Sequence, residues 1–251
     1  WGAEGSCATH TDGHFDGNGI LNVKNSPPVT PVTVTWDGEG AADTLFSTAV
    51  NWDGDTAPTF DGTTHAVFGT GGATATVDTA ANLYGMVFNR DADFTVTGGE
   101  GSLSLGAGGL VAHLPSPTSR TYRVEKDIRF TENQVWSLTN NGAGAATLKV
   151  SGTLSDAFDN YSLTLSGNGT LELSGNNTYN GVTTVKTNSV LRVTHDNALG
   201  STNGATLVED GGRLILSGGI TVRDDVSLYG DASTGFRGSL WSTGGTNVLR
   251  G

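Results

Sequence analysis

The chain reads as an all-β protein, a parallel β-solenoid behind an irregular N-terminal cap, and three observations predict it. Residues 163–175, 183–195 and 206–218 are copies of one another. Each copy has an apolar anchor (Leu165, Val185, Val208), a polar or turn-type spacer, then an apolar-x-apolar pair: Leu171/Leu173, Leu191/Val193 and Leu214/Leu216. The anchors recur with a period of roughly 20 residues, and strands this short cannot each build a core, so the repeats must stack on one another. Second, no long apolar run has a helical period, so helix content should be minimal. Third, glycine accounts for 38 of 251 residues, roughly twice its usual share of about 7%. That excess suits a chain of many tight corners.

Taken in order, residues 1–35 read as an irregular leader and linker. They hold Asp12, Gly13, Asp16, Gly17, Asn18 and Gly19, then the proline-bearing stretch 26–31. Residues 36–93 read as an N-terminal β cap with the first coils. Trp36-Asp-Gly recurs as Trp52-Asp-Gly, and strands are predicted at 65–68, 75–78 and 84–88. Residues 94–251 read as β-helix repeats. A looser copy of the repeat spans 94–105, with Val96 matched to the later anchors and Leu103/Leu105 to the later pairs. Further strands are predicted at 124–130, 134–138, 147–154, 222–229 and 238–241.

Within each repeat, alternate side chains point to opposite faces. Leu171 and Leu173 therefore face inward around Glu172, as Leu191 and Val193 do around Arg192. Leu214 and Leu216 flank Ile215, an outward aliphatic that implies a covered face. Gly167-Asn-Gly, Thr187-Asn-Ser and Asp210-Gly-Gly supply left-handed backbone at a corner. The outward Ser and Thr form either a solvated face or a glycan-binding stripe; both can bond between neighbouring coils.

Charge narrows the partners. Only 15% of residues are charged, and 25 acidic against 13 basic residues give a net charge of −12. Nucleic acid is disfavoured, because phosphate binding needs clustered Lys and Arg. No apolar stretch approaches the length of a transmembrane segment. Nothing at the start reads as a secretory signal, an absence that says little when Trp1 can equally begin a processed chain or an excised fragment. Cys7 is the single cysteine, so it is either an unpaired thiol or paired outside this chain.

From Leu173 the chain reads LSGNNTYNGVTTVKTNSVLRVTHDNALGS. This resembles the autotransporter-associated β-strand repeat, also called the passenger-associated transport repeat. The matching positions are Leu173, Ser174, Gly175, Asn177, Thr178, Tyr179, Gly181, Thr183 or Thr184, Val185, Leu191, Val193, Ala198, Leu199 and Gly200. Val182 departs where a second glycine is usual, and Asn188-Ser189 replaces a glycine turn, which Asn tolerates. The segment containing Trp36, Asn51-Trp52, Pro58 and Phe60-Asp61-Gly62 resembles the opening of large secreted proteins that carry this repeat. The resemblance implies a right-handed parallel β-helix, an extracellular or bacterial cell-surface location and participation in passenger secretion; it does not imply catalysis. No series of alternating amphipathic strands, as in the family's outer-membrane barrel, appears toward the C-terminus.

Candidate chemistry is sparse. Asp12, Asp16 and Asn18 place oxygen donors near a glycine turn, the raw material of a calcium loop, although His14 and Val23 occupy positions where a strict loop has carboxylates. The alternative is an ordinary Asp/Gly turn. No other cofactor is expected. His10, His14, His65, His113 and His195 are scattered, with no complete zinc set, and no nucleophile motif appears. Arg223-Asp224-Asp225 is the nearest analogue of a charged β-helix active site, but its spacing marks a corner. The tryptophans and Tyr84, Tyr122, Tyr161, Tyr179 and Tyr229 either stack on sugars or fill the core and cap it. The expected function is a non-enzymatic structural or adhesive scaffold. Its partners would be copies of itself, stacked end to end or laterally, or surface glycans and proteins. The rival reading is a carbohydrate-binding or carbohydrate-active β-helix.

Overall fold

The computed structural model describes residues 14–15, 21–22, 30–40, 42–142, 144–229 and 240–251. The chain divides into two units, Trp1–Thr30 and Pro31–Gly251. In the first, β1 (His14–Phe15) pairs antiparallel with β2 (Leu21–Asn22). The second is a β-solenoid. It opens with β3 (Val32–Trp36), β4 (Asp61–Phe68), β5 (Thr74–Val77), β6 (Ala81–Asn89) and β7 (Phe94–Gly98). It continues through β8 (Leu103–Leu114), β9 (Arg120–Val124), β10 (Ile128–Phe130), β11 (Gln134–Asn140), β12 (Ala146–Val150) and β13 (Leu154–Ser155). The repeat region holds β14 (Leu163–Gly167), β15 (Thr170–Leu173), β16 (Thr183–Val185), β17 (Val190–Val193), β18 (Ala205–Val208) and β19 (Arg213–Ser217). Last come β20 (Thr221–Val222), β21 (Asp225–Leu228), β22 (Leu240–Thr243) and β23 (Val248–Leu249). No α-helix occurs among the described residues.

These strands stack as three walls. The first runs β3-β4-β6-β8-β11-β14-β16-β18-β21, and the second β5-β7-β9-β12-β15-β17-β19-β22. The third is shorter-stranded: β10 lies between β13 and the first half of β8, and β20 pairs with β23. β6 and β8 serve two walls by bending at glycine. At Gly109, with φ 57°, an added Cβ would stand 2.2 Å from the Val135 carbonyl oxygen, so no side chain fits that bend.

The three copies seen in the sequence are in register. Leu165 pairs with Val185 and Val185 with Val208 in the first wall. Leu171, Leu191 and Leu214 align in the second, as do Leu173, Val193 and Leu216. All are buried, and each such side chain contributes roughly 1.5–3 kcal/mol. The corners behave as their composition requires: Gly167, Asn188 and Gly211 have φ of 100°, 67° and 75°. Ile215 points outward yet is only 6% exposed, so the face over it is covered.

Five expectations are corrected. The copy at 94–105 is out of phase by one wall. Phe94 and Val96 stack on Tyr122 and Val124 in the second wall, where the apolar pairs lie, while Leu103 and Leu105 sit in the third beside Ile128 and Phe130. Inward alternation looks alike on every wall, so the pattern alone does not say which wall it belongs to. The strand predicted at 124–130 breaks at residues 125–127, and the one at 147–154 at residues 151–153. Both breaks are corners where Glu-Lys-Asp and Ser-Gly-Thr interrupt the apolar alternation. The strand predicted at 222–229 likewise breaks at Arg223-Asp224. Finally, β3 begins at Val32, inside the stretch read as leader, because Val-Thr-Val-Thr-Trp alternates like any wall strand and pairs with β4.

The inward column of the first wall measures the coils. It passes Ala66, Met86, Leu110, Trp136, Leu165, Val185 and Val208. The coils lengthen from Ala66 up to the one that ends at Leu165, and the next, ending at Val185, is short again. Toward β3 the core closes with aromatic rings. Trp36, Phe46, Trp52 and Phe68 are buried, with ring centroids 5.2 Å apart for Trp36 and Trp52 and 5.5 Å for Phe46 and Trp52. Trp52 Nε1 donates to the Phe46 carbonyl at 2.8 Å. These tryptophans fill and cap the core, as do buried Trp136, Tyr122 and Tyr179.

Candidate functional site

The solenoid converts sequence period into columns of side chains. On the outside of the second wall, Arg123, Lys149, Glu172 and Arg192 lie in one column, and Thr121, Thr147 and Thr170 in the next. Lys149 Nζ meets Glu172 Oε1 at 3.0 Å, Arg120 Nε meets Asp91 at 2.9 Å, and Lys186 pairs with Glu209 at 2.5 Å, each between neighbouring coils. The surface is therefore ordered along the stack by charge complementarity as well as by backbone bonding.

Two of the hollows that break this surface lie at the first wall. One, of about 520 Å³, lies at the corner between the first and second walls and is walled by amides and hydroxyls, including Thr139, Asn140, Asn168, Thr187 and Asn188. Its amides are stacked: Asn168 Nδ2 donates to Asn140 Oδ1, and the Asn140 backbone N–H donates to Asn168 Oδ1 at 3.0 Å. His113 Nδ1 bonds the Thr139 hydroxyl at 2.9 Å beside it. The other hollow, of about 460 Å³, runs along β3 and is walled by Val32, Val34, Ala57 and Pro58 among others.

A third feature is internal. At the corner between the third and first walls, the Tyr179 hydroxyl bonds Thr183 at 2.6 Å, Thr183 stacks on Thr206, and the Thr206 hydroxyl donates to Asp224 Oδ2. Asp224 is 5% exposed, and its Oδ1 has no partner among the described residues. Burial pushes its carboxyl up to about 6, the Thr206 bond opposing and neighbouring Asp225 adding to the shift. Burial also holds the Tyr179 hydroxyl firmly protonated. Arg223-Asp224-Asp225 is thus a corner, with its middle carboxylate turned into the core.

The residues of the repeat motif prove to be couplers between coils. Asn177 Oδ1 accepts the Leu154 N–H at 2.8 Å, and its Nδ2 donates to the Ala198 carbonyl at 2.6 Å. Tyr179 packs on Phe130 at 5.6 Å, while Ala198 and Leu199 are buried.

Asp12, Asp16 and Asn18, the candidate calcium ligands, lie outside the described residues, as do Cys7 and His10. Among the described residues no three His, Cys, Asp or Glu side chains gather as a metal site, and no helix is long and apolar enough to cross a membrane. His65, His113 and His195 do not come together. His65 stacks edge-on against Tyr84 at 5.8 Å, its Nε2 has no partner among the described residues, and burial lowers its pKa. His195 Nδ1 accepts the Asn197 N–H at 3.1 Å. Sequence reasoning missed the amide hollow. Its signal is the asparagine beside each corner, at Asn140, Asn168 and Asn188, which turn chemistry alone also explains.

No family model, no curated protein and no solved structure matches this chain.

Proposed function

We propose that the chain is an extracellular or cell-surface scaffold of the autotransporter-passenger kind, adhesive or structural rather than catalytic. The observation that carries this reading is the continuous parallel pairing from β3 to β21. Such a stack holds outward columns at a fixed spacing of about 4.8 Å, which is what multivalent attachment to repeating surfaces exploits. The Leu173–Gly200 resemblance to the passenger repeat agrees with it, since Asn177 of that motif bonds the coils on both sides of its own and the motif's apolar positions stack in register. Partners of the expected kind are surface glycans, surface proteins or further copies of the chain.

The test is negative-stain electron microscopy and sizing chromatography of the purified chain, in calcium and in EDTA, with chain-coated beads offered to glycan arrays and to each other. Regular assemblies or saturable bead retention would support the scaffold, and their loss in EDTA would give Asp12, Asp16 and Asn18 a metal-dependent part. A monomer whose beads bind neither glycans nor one another would overturn it.

A further inference from the structure

Of the coils between Ala66 and Val208, the longest is also the one with the most non-glycine residues at positive φ. It runs from Trp136 to Leu165, and much of its surplus lies in residues 156–162, which connect β13 to β14. There the Asp159 N–H donates to the Asp156 carbonyl at 3.1 Å, closing a tight turn whose central residues, Ala157 and Phe158, have φ of 51° and 74°. Positive φ at both central positions defines a turn that normally requires Asn or Gly. A bulky side chain such as Phe is an outlier there.

The turn is enforced from below. The Asp156 carboxylate is buried and takes four N–H groups. Oδ1 accepts the Phe158 N–H at 3.0 Å and Asn180 Nδ2 at 3.2 Å; Oδ2 accepts the Tyr161 N–H at 3.2 Å and the Asn180 N–H at 2.9 Å. Two coils thus hold this backbone in an unfavourable conformation, and what the arrangement delivers is one phenyl ring in solvent. Phe158 is 86% exposed, where an unconstrained Phe would be buried. Beside the ring opens a cavity of about 240 Å³, bounded by Ser155, Asp156 and Ala157 of its own coil and Thr178 of the next. Strain of this sort persists where the surroundings over-determine it, and it concentrates at ligand sites; loops inserted into a solenoid tend to carry its binding functions.

We propose that this corner binds a saccharide unit, with Phe158 as the platform for the apolar face of a pyranose ring. The Ser155 and Thr178 hydroxyls face its polar edge. The cavity fits that ligand class because its walls combine a phenyl face and methyl groups with hydroxyls, the Asp156 carboxylate beneath being taken up by its four N–H groups; a pyranose presents the same division of apolar and hydroxyl surface. The site supplies the adhesive reading with a ligand class, and it rests on that reading.

Three variants of the full chain separate binding from folding: Phe158→Asn, Phe158→Trp and Thr178→Val. Nitrogen-15-labelled chain is titrated with maltohexaose, cellohexaose and chitohexaose at millimolar concentration, following the amides of 155–161 and 178. Saturable shifts confined to those amides are expected with at least one of the three. Phe158→Asn should weaken binding several-fold, up to about tenfold, the scale of a lost aromatic stack. It should not lower Tm, because Asn accepts positive φ. Phe158→Trp should keep binding, and Thr178→Val should weaken it. Absence of saturable shifts at this corner with all three sugars would overturn the site, as would unchanged affinity or a lowered Tm in Phe158→Asn. Saturable shifts elsewhere that survive Phe158→Asn would overturn this site alone and leave the adhesive scaffold standing.

Discussion

Asn177 accepts the backbone N–H of Leu154, one coil earlier, on its side-chain carbonyl at 2.8 Å. With its amide hydrogen given to Ala198 one coil later, this single side chain ties three successive coils together from inside.

Replacing it with alanine leaves the Leu154 N–H and the Ala198 carbonyl buried without partners. Each orphaned group costs about 1–3 kcal/mol, so Asn177→Ala should destabilise by roughly 2–4 kcal/mol in urea unfolding. A loss below about 0.5 kcal/mol would show that the coils do not depend on this coupling.

Corners should discriminate between residues that share a conformation. Gly167 and Asn188 both have positive φ, but a Cβ on Gly167 would stand 2.0 Å from the Leu138 carbonyl oxygen. Gly167→Asn should therefore cost roughly 2–4 kcal/mol through forced backbone movement, while Asn188→Gly should stay within about 1 kcal/mol. Thermal melts of the two variants would reverse this ordering if backbone conformation alone mattered.

Asp224 should leave a pH signature. Its folded carboxyl titrates at about 6 against an ordinary 3.8, so the folded chain retains a proton that the unfolded chain has released. Stability contributed by this group is complete below about pH 4, falls as pH rises through about 6, and is flat above that. Asp224→Asn should remove that slope and be more stable at pH 7, by of order 2–3 kcal/mol. The measurement is the difference between the two stability curves over a range from about pH 3 to about pH 8, which spans both titrations. A difference that does not vary with pH would mean the carboxyl is solvated in the folded chain.

The surface pairs should matter little. Lys149 and Glu172 are partly exposed, and such pairs are worth about 0–1 kcal/mol and are screened by salt. Lys149→Ala should shift stability by less than about 1 kcal/mol at physiological salt, with the effect shrinking as salt is added. A larger, salt-insensitive loss in denaturant titrations would reveal that the lysine stem packs as part of the wall.

The fold was legible in the sequence where corners are short. Between Leu165 and Val208 the coils stay close to one length, and anchor, turn and apolar pair recur visibly. From Met86 to Leu165 each coil is longer than the one before it. The period dissolves there although the walls remain in register, and the 94–105 copy reads one wall out of phase. The candidate surface is harder to read for a related reason. Asp156, Ala157 and Phe158 look like any polar turn with one aromatic, because the sign of φ at Ala and Phe is imposed by Asn180 of the next coil, which holds the Asp156 carboxylate. The asparagines of the amide hollow are visible, but that they stack is a property of coil alignment.

The uneven coils show where this architecture admits change. An inserted residue within a wall would turn every later inward side chain of that strand to the outside, so wall length is fixed. Corner length is not: a long coil and the short one that follows it deliver Trp136, Leu165 and Val185 to the same column. The corners are therefore ports at which segments can be spliced in without disturbing the lattice of the walls. The segment around Phe158 is one such insertion, lengthening one rung while its neighbours keep their alignment.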